Sequence, residues 1–323
     1  MDQAPGSDLR EGSKMTAMDF IRLSTLVVAI AAGVAARTDA EGAPHMRLHT
    51  ETRAQETALL PASRVPRGAQ VQTSTTGDRV RITSNGIPDH AVGKFPNRDN
   101  PHRISAQAYR FETGPAEIRR RAQALRRGGI MGVAVNGVPF DPGAAEFWMG
   151  RPDLGWQYEA LGGAVKLGLD ANHAHVQRSG AYHYHGLPTG LMKQLGWSAQ
   201  AESPLIGYAA DGFPIYALTA VRQGHVVEMT SSWRLKTGHR PGGDLPSGAH
   251  DGAFVQDYIY VAGTGSLDAC NGAQVVTQDF PQGTYAYFLT RDFPVVPRCL
   301  VGDAGSSFTK PRPPGRNPGA ARP

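Results

Sequence analysis

Apolar positions in this chain come in short runs rather than in long helical stripes. "GVAVNGVPF" (132–140), "PLIGYA" (204–209), "FPIYAL" (213–218), "HVVEM" (225–229), "FVQDYIYVAG" (254–263) and "TYAYFLT" (284–290) are rich in β-branched and aromatic residues. Gly, Pro, Asn or Asp bounds them, as expected of strands joined by turns. Between two of these runs, Asp211-Gly212 predicts a two-residue hairpin turn with Asp211 at its tip. Helical spacing is rare. Residues 115–127 put Ile118, Ala122 and Leu125 on one face, and Leu191 to Leu195 suits a single short turn. The pattern predicts a mostly β domain, sandwich- or barrel-like, of short antiparallel strands with few short helices. Thirty-nine Gly and twenty-four Pro in 323 residues agree with many turns.

The pattern fades at both ends. An apolar run from Leu23 to Ala36 follows Arg22 and is too short for a comfortable membrane span, so residues 1–40 read as a secretory signal region. Residues 41–76 are polar, lack apolar periodicity and read as a disordered linker. Residues 303–323, rich in Gly, Pro, Ser and Arg, read as a disordered basic tail, which leaves 77–302 as the β domain. The net charge is +5, yet residues 128–300 hold 10 Lys and Arg against 14 Asp and Glu. The basic excess therefore lies in the flanks, "EIRRRAQALRR" (117–127) and the tail, which argues against nucleic acid as a partner. The expected location is secreted or periplasmic, with no membrane span in the mature chain. In such an oxidising compartment the two cysteines, Cys270 and Cys299, are expected to pair.

The chemistry concentrates in "DANHAHVQRSGAYHYHGLP" (170–188), where His173, His175, His183 and His185 form two His-x-His pairs. Alternate strand residues share a face, so each pair points one way while Ala174, Val176, Tyr182 and Tyr184 point the other. A three-residue turn, Arg178-Ser179-Gly180, with Gly180 in the left-handed closing position, pairs His175 with His183 and His173 with His185. All four imidazoles then form a square, with cross-strand Cβ atoms about 5 Å apart. A two-residue Ser179-Gly180 turn instead pairs Val176 with His183 and scatters them, so one residue of register decides the site. Crowded neutral imidazoles need partners for their ring nitrogens, and a Zn²⁺ or Cu²⁺ ion supplies one. Three ligands with an open position, the fourth histidine standing behind them, are expected as readily as four ligands.

Other polar residues are weaker candidates. Asp170 and Asn172 precede the square and suit an oxygen ligand, a ring N–H partner or plain turn duty. His90 and His250 are possible further histidines, and Asp211, Tyr182 and Tyr184 possible contacts for ligands or substrate. No Gly-x-Ser-x-Gly, His-Glu-x-x-His, phosphate loop or dinucleotide fingerprint occurs.

The segment "AHVQRSGAYHYHGLPTGL", followed by "SPLIGYAADGFPIY", resembles the YHYH-domain proteins, named for that tetrapeptide. The likeness continues through "HDGAFVQDYIYVAGTGSLDACNG" and "TYAYFLTRDFPVVPRC" and reaches back to "SNGIPDHAVGKFPN", covering roughly residues 82 to 302. The resemblance implies an exported protein but carries over no reaction. Tyr182, His183, Tyr184 and His185 match its signature, His175 its upstream histidine, and Cys270 and Cys299 two of its cysteines. Where the family pattern often has an acidic residue, this chain has Ala269.

The leading expectation is an exported β domain with a histidine-rich Zn or Cu site, whether catalytic or for storage. The alternative is a secreted module that binds glycan or another surface component without metal, stacking Tyr182, Tyr184, Trp148 and Trp156 on it. A third reading has the basic flanks holding the domain to an anionic envelope, with strong salt dependence.

Overall fold

The structure, a computed structural model, describes residues 57–308. The expected signal region, residues 41–56 of the expected linker and the tail beyond residue 308 lie outside the described residues.

Eight strands form the main sheet: β1 (Gly132–Ala134), β2 (Pro139–Phe140), β3 (Ala174–Val176), β4 (Tyr182–Tyr184), β5 (Gly207–Ala209), β6 (Pro214–Ala217), β7 (Gly272–Val275) and β8 (Thr284–Leu289). Their order across the sheet is β7-β8-β6-β5-β1-β2-β4-β3. The sheet is mixed. β2 runs parallel to β4 and β6 parallel to β8, while the remaining pairs are antiparallel. Antiparallel neighbours need only tight turns, whereas a parallel pair needs a long connection, and residues 141–173 lie between β2 and the β3–β4 hairpin.

Burial on both faces explains why the apolar runs are continuous rather than alternating. Along β6 and β8, Ile215, Ala217, Tyr287 and Leu289 enter the largest core cluster, while Tyr216, Ala286 and Phe288 enter another on the opposite face. Each such large side chain contributes about 1.5–3 kcal/mol on burial. Smaller antiparallel ribbons surround the sheet: Val71–Thr76, Arg79–Ser84 and Tyr109–Glu112 together, Thr219–Arg222 with His225–Glu228, Trp233–Leu235 with Tyr258–Tyr260, and Gln123–Ala124 with Cys299–Leu300. Among the described residues one short α-helix, α1 (Thr189–Gln194), follows the hairpin, and four one-turn 3-10 helices lie elsewhere. The mostly β class with few short helices is thus what the chain adopts.

Four local expectations are corrected. Residues 115–127 form no helix and only Gln123–Ala124 is a strand: Arg119 N donates to Val301 O at 2.8 Å and Leu125 N to Arg298 O at 2.9 Å. Ile118 of the supposed apolar face is 51% exposed, so no packing favours a helix there. Residues 57–76 belong to the fold rather than to a linker. Leu60 N donates to Leu169 O at 2.9 Å, and Val71–Thr76 pairs with Arg79–Ser84. That strand is exposed on both faces, so it carries no apolar alternation to read. At the other end, Phe308 is buried 4.9 Å from the Phe111 ring, so residues 303–308 close the core instead of starting a tail. Finally, the β5–β6 turn has three residues, 210–212, with Ala209 N donating to Phe213 O at 2.8 Å and Gly212 at φ +92°.

Cys270 and Cys299 form a disulfide across a sequence separation of 29 residues. Loop-closure entropy for that length corresponds to about 3–4 kcal/mol. A C270S/C299S double variant is therefore expected to lose about that much unfolding free energy in a urea titration. An unchanged midpoint would show that the cross-link contributes no stability.

Candidate metal centre

The β3–β4 hairpin pairs Ala174 with Tyr184, His175 with His183 and Val176 with Tyr182. Gln177 N donates to Ala181 O at 2.9 Å, and Gly180 N donates back to Gln177 O at 2.8 Å with φ +85° at Gly180. This is the three-residue turn, closed by the left-handed glycine that the geometry requires. Ser105 N donates to Gly180 O at 3.0 Å and holds the turn from outside.

Three of the four histidines meet. His183 Nε2 lies 2.9 Å from His185 Nε2, which lies 3.1 Å from His175 Nε2, and the rings stand 4.7–4.8 Å apart, centroid to centroid. His183 and His185 are buried and His175 half-buried. The other ring nitrogens show which edge carries the proton. His175 Nδ1 is 2.8 Å from Leu167 O and His183 Nδ1 3.3 Å from Ala181 O. A carbonyl only accepts, so both Nδ1 atoms donate to these partners, and in the neutral ring each Nε2 presents a lone pair. His185 Nδ1 has no partner among the described residues. Burial, then the neighbouring His183 and His175, push His185 well below the usual imidazole range. His185, at the centre of the triad, is therefore held neutral.

His173 stands outside it, and the expected square is a triangle. Asn172 N donates to Asp170 Oδ1 at 2.9 Å and His173 N to Asp170 O at 2.8 Å, so the chain turns before β3 begins. His173 takes φ +51°, which breaks the strand alternation, and its Nδ1 turns to Leu187 O at 2.9 Å.

The opposite face of the hairpin holds most of the other candidates. Tyr182 OH donates to Asp170 Oδ2 at 2.8 Å, and the same carboxylate oxygen accepts Gly93 N at 2.9 Å. His90 Nδ1 faces Ala91 O at 2.9 Å and so donates, leaving Nε2 to accept Tyr184 OH at 2.5 Å. Asn136 Nδ2 also donates to Tyr184 OH, at 3.0 Å. Burial lowers the pKa of His90 and raises those of both tyrosines, so this network is built of neutral groups around Asp170. Asp170, His90, Tyr182 and Tyr184 thus clasp the hairpin from behind and are not among the converging donors. Both tyrosines are fully buried, and Trp156 is buried too, so the expected sugar-stacking face is not formed by these rings. The cause is Tyr184's packing on Phe140 at 5.4 Å and Trp156's on Phe254 at 5.5 Å.

Asp211 and His250 are also absent from the triad. Asp211 is buried, accepts Tyr287 OH at 2.6 Å and Gly302 N at 2.9 Å, and has its pKa raised by burial. His250 N donates to Gly238 O at 3.2 Å, in a loop remote in sequence.

A family model described as YHYH protein matches residues 109–302. The chain belongs to the YHYH protein family. No curated protein and no solved structure matches it. The YHYH tetrapeptide, Tyr182 to His185, is now legible as an alternation: histidines to the triad, tyrosines to the clasp. The His90 segment precedes the matched residues, although it holds a YHYH tyrosine.

Several residues beside the triad carry no sequence signal of their own. Asn100 Nδ2 lies 3.2 Å from His175 Nδ1 and donates to Val176 O at 3.0 Å. Arg298 donates to Pro142 O at 2.7 Å and pairs with buried Glu159 at 2.6 Å, 139 residues away in the chain. Asp141 and Gln177 share a hydrogen bond of 2.9 Å. Strand alternation from Phe140 was the one available hint for Asp141.

Gly180→Ala is expected to destabilise the protein by about 1–3 kcal/mol, because a side chain is strained at that φ and its Cβ would collide with Ser105 Oγ. Urea denaturation measures the loss, and an unchanged midpoint would refute the turn's role.

Proposed function

We propose that this YHYH protein binds a transition-metal ion, Zn²⁺ or Cu²⁺, through the Nε2 atoms of His175, His183 and His185. The observation that carries the reading is the convergence of these nitrogens, all within 4.8 Å of one another, with two of the three Nδ1 atoms committed to carbonyls. Carbonyl partners on Nδ1 fix tautomer and orientation, as in many metal-bound histidines. Imidazole suits both metals. No fourth His, Cys, Asp or Glu joins the group among the described residues, which favours three ligands with an open position. His175 is the least buried of the three.

Export to the periplasm or beyond belongs to the same proposal. The Cys270–Cys299 disulfide suits an oxidising compartment, and the apolar run after Arg22 suits a signal. Among the described residues no helix is long and apolar enough to cross a membrane.

Metal content of the untagged protein, measured by mass spectrometry, tests the reading. Near-stoichiometric Zn or Cu is expected in the wild type and in His173→Ala. Loss of the metal is expected in the His183→Ala, His185→Ala double variant. A wild type that stays metal-free and refuses both ions on titration sinks the proposal.

A further inference from the structure

We infer that the edge strand Val71–Thr76 is a docking surface for the same strand of a second copy of this chain, the two pairing antiparallel about a twofold axis at Thr73. This inference is independent of the metal reading above.

Backbone hydrogen bonds show which groups the edge leaves open. Val71–Thr76 lies at the edge of a three-stranded sheet and pairs with Arg79–Ser84 alone. Asn85 N donates to Gln70 O at 3.1 Å, so Gln70 turns its backbone groups towards its own sheet. Orientation alternates along a strand, so Gln72, Ser74 and Thr76 do the same, while Val71, Thr73 and Thr75 turn theirs outward. The middle strand confirms the phase. Val80, opposite Thr75, donates its N–H to Thr113 Oγ1 at 3.0 Å and accepts Thr113 N at 3.0 Å, on the side away from Thr75. Among the described residues no hydrogen bond reaches the outward groups, and all six residues of the strand are exposed.

The side chains suit a copy of themselves. Open edges are normally guarded by Lys, Pro or a bulge. Residues 68–77, "GAQVQTSTTG", contain no charge and no proline, and the strand within them pairs in unbroken register. The cations of the middle strand lean away from the edge: Arg79 Nη1 donates to Thr113 O at 3.1 Å, and Arg81 pairs with Glu112 at 2.6 Å. Antiparallel pairing through the outward groups sets Thr73 against Thr73 of the other copy, and Val71 against its Thr75, on one face. Gln72 then meets Ser74 on the other face. Cross-strand pairs of β-branched and hydroxyl side chains stabilise sheets. The same twofold brings the Asp78 end of one copy to the Arg67 end of the other, so the flanking charges attract. A foreign peptide would find main-chain partners but no side-chain pocket, because the strand is exposed on both faces.

Sedimentation velocity on the untagged protein, from micromolar to submillimolar concentration and with or without EDTA, tests the inference. A reversible monomer–dimer equilibrium that EDTA leaves unchanged is expected. Thr73→Pro removes an outward N–H while sparing the ladder to Arg79–Ser84, and is expected to weaken the dimer at least about tenfold. Thr73→Lys and Thr73→Glu each set like charges face to face and are expected to be monomeric, whereas an equimolar mixture of the two dimerises. A wild type that stays monomeric throughout the series would overturn the inference. So would a dimer that survives all three substitutions, or one that EDTA dissolves.

Discussion

The site depends on a single backbone constraint, the left-handed conformation of Gly180. That conformation closes a turn of three residues rather than two and sets His175 opposite His183. Strand side chains alternate with a period of two, so a slip by one residue would send the histidines to the buried tyrosine face. The core shape reinforces the choice. Tyr182 and Tyr184 fill space against His90, Phe95 and Phe140, which imidazoles of smaller volume and different polarity would not fill.

The two faces of the hairpin do different physical work. On one, hydroxyl groups meet Asp170, His90 and Asn136, and every donor there finds an acceptor. On the other, three ring nitrogens converge, and His185 Nδ1 has no partner among the described residues. Buried polar groups in folded proteins are normally satisfied. A cluster that falls short beside a network that does not is where an added ligand has most to contribute.

The hairpin was legible in the sequence because its determinants are local: a His-x-His spacing, a glycine at the right offset and alternating tyrosines. The strands of the main sheet were legible for the same reason. What escaped was set by tertiary contacts. His173 left the cluster because Asp170 begins a turn one residue too early for the strand to include it. Residues 115–127 have helical spacing, yet the chain end at 298–301 offers them strand partners instead. Arg298 and Glu159, brought together from distant parts of the chain, leave no pattern that spacing could reveal.

The three converging donors all come from one hairpin closed by a three-residue turn. Their assembly therefore needs little loop-closure entropy and does not wait for the long-range pairing of β6 with β8. An ion that binds them would stabilise the hairpin in the otherwise unfolded chain as well as in the native state. Part of its binding free energy would then be common to both states, and its effect on overall stability would be smaller than its affinity alone suggests.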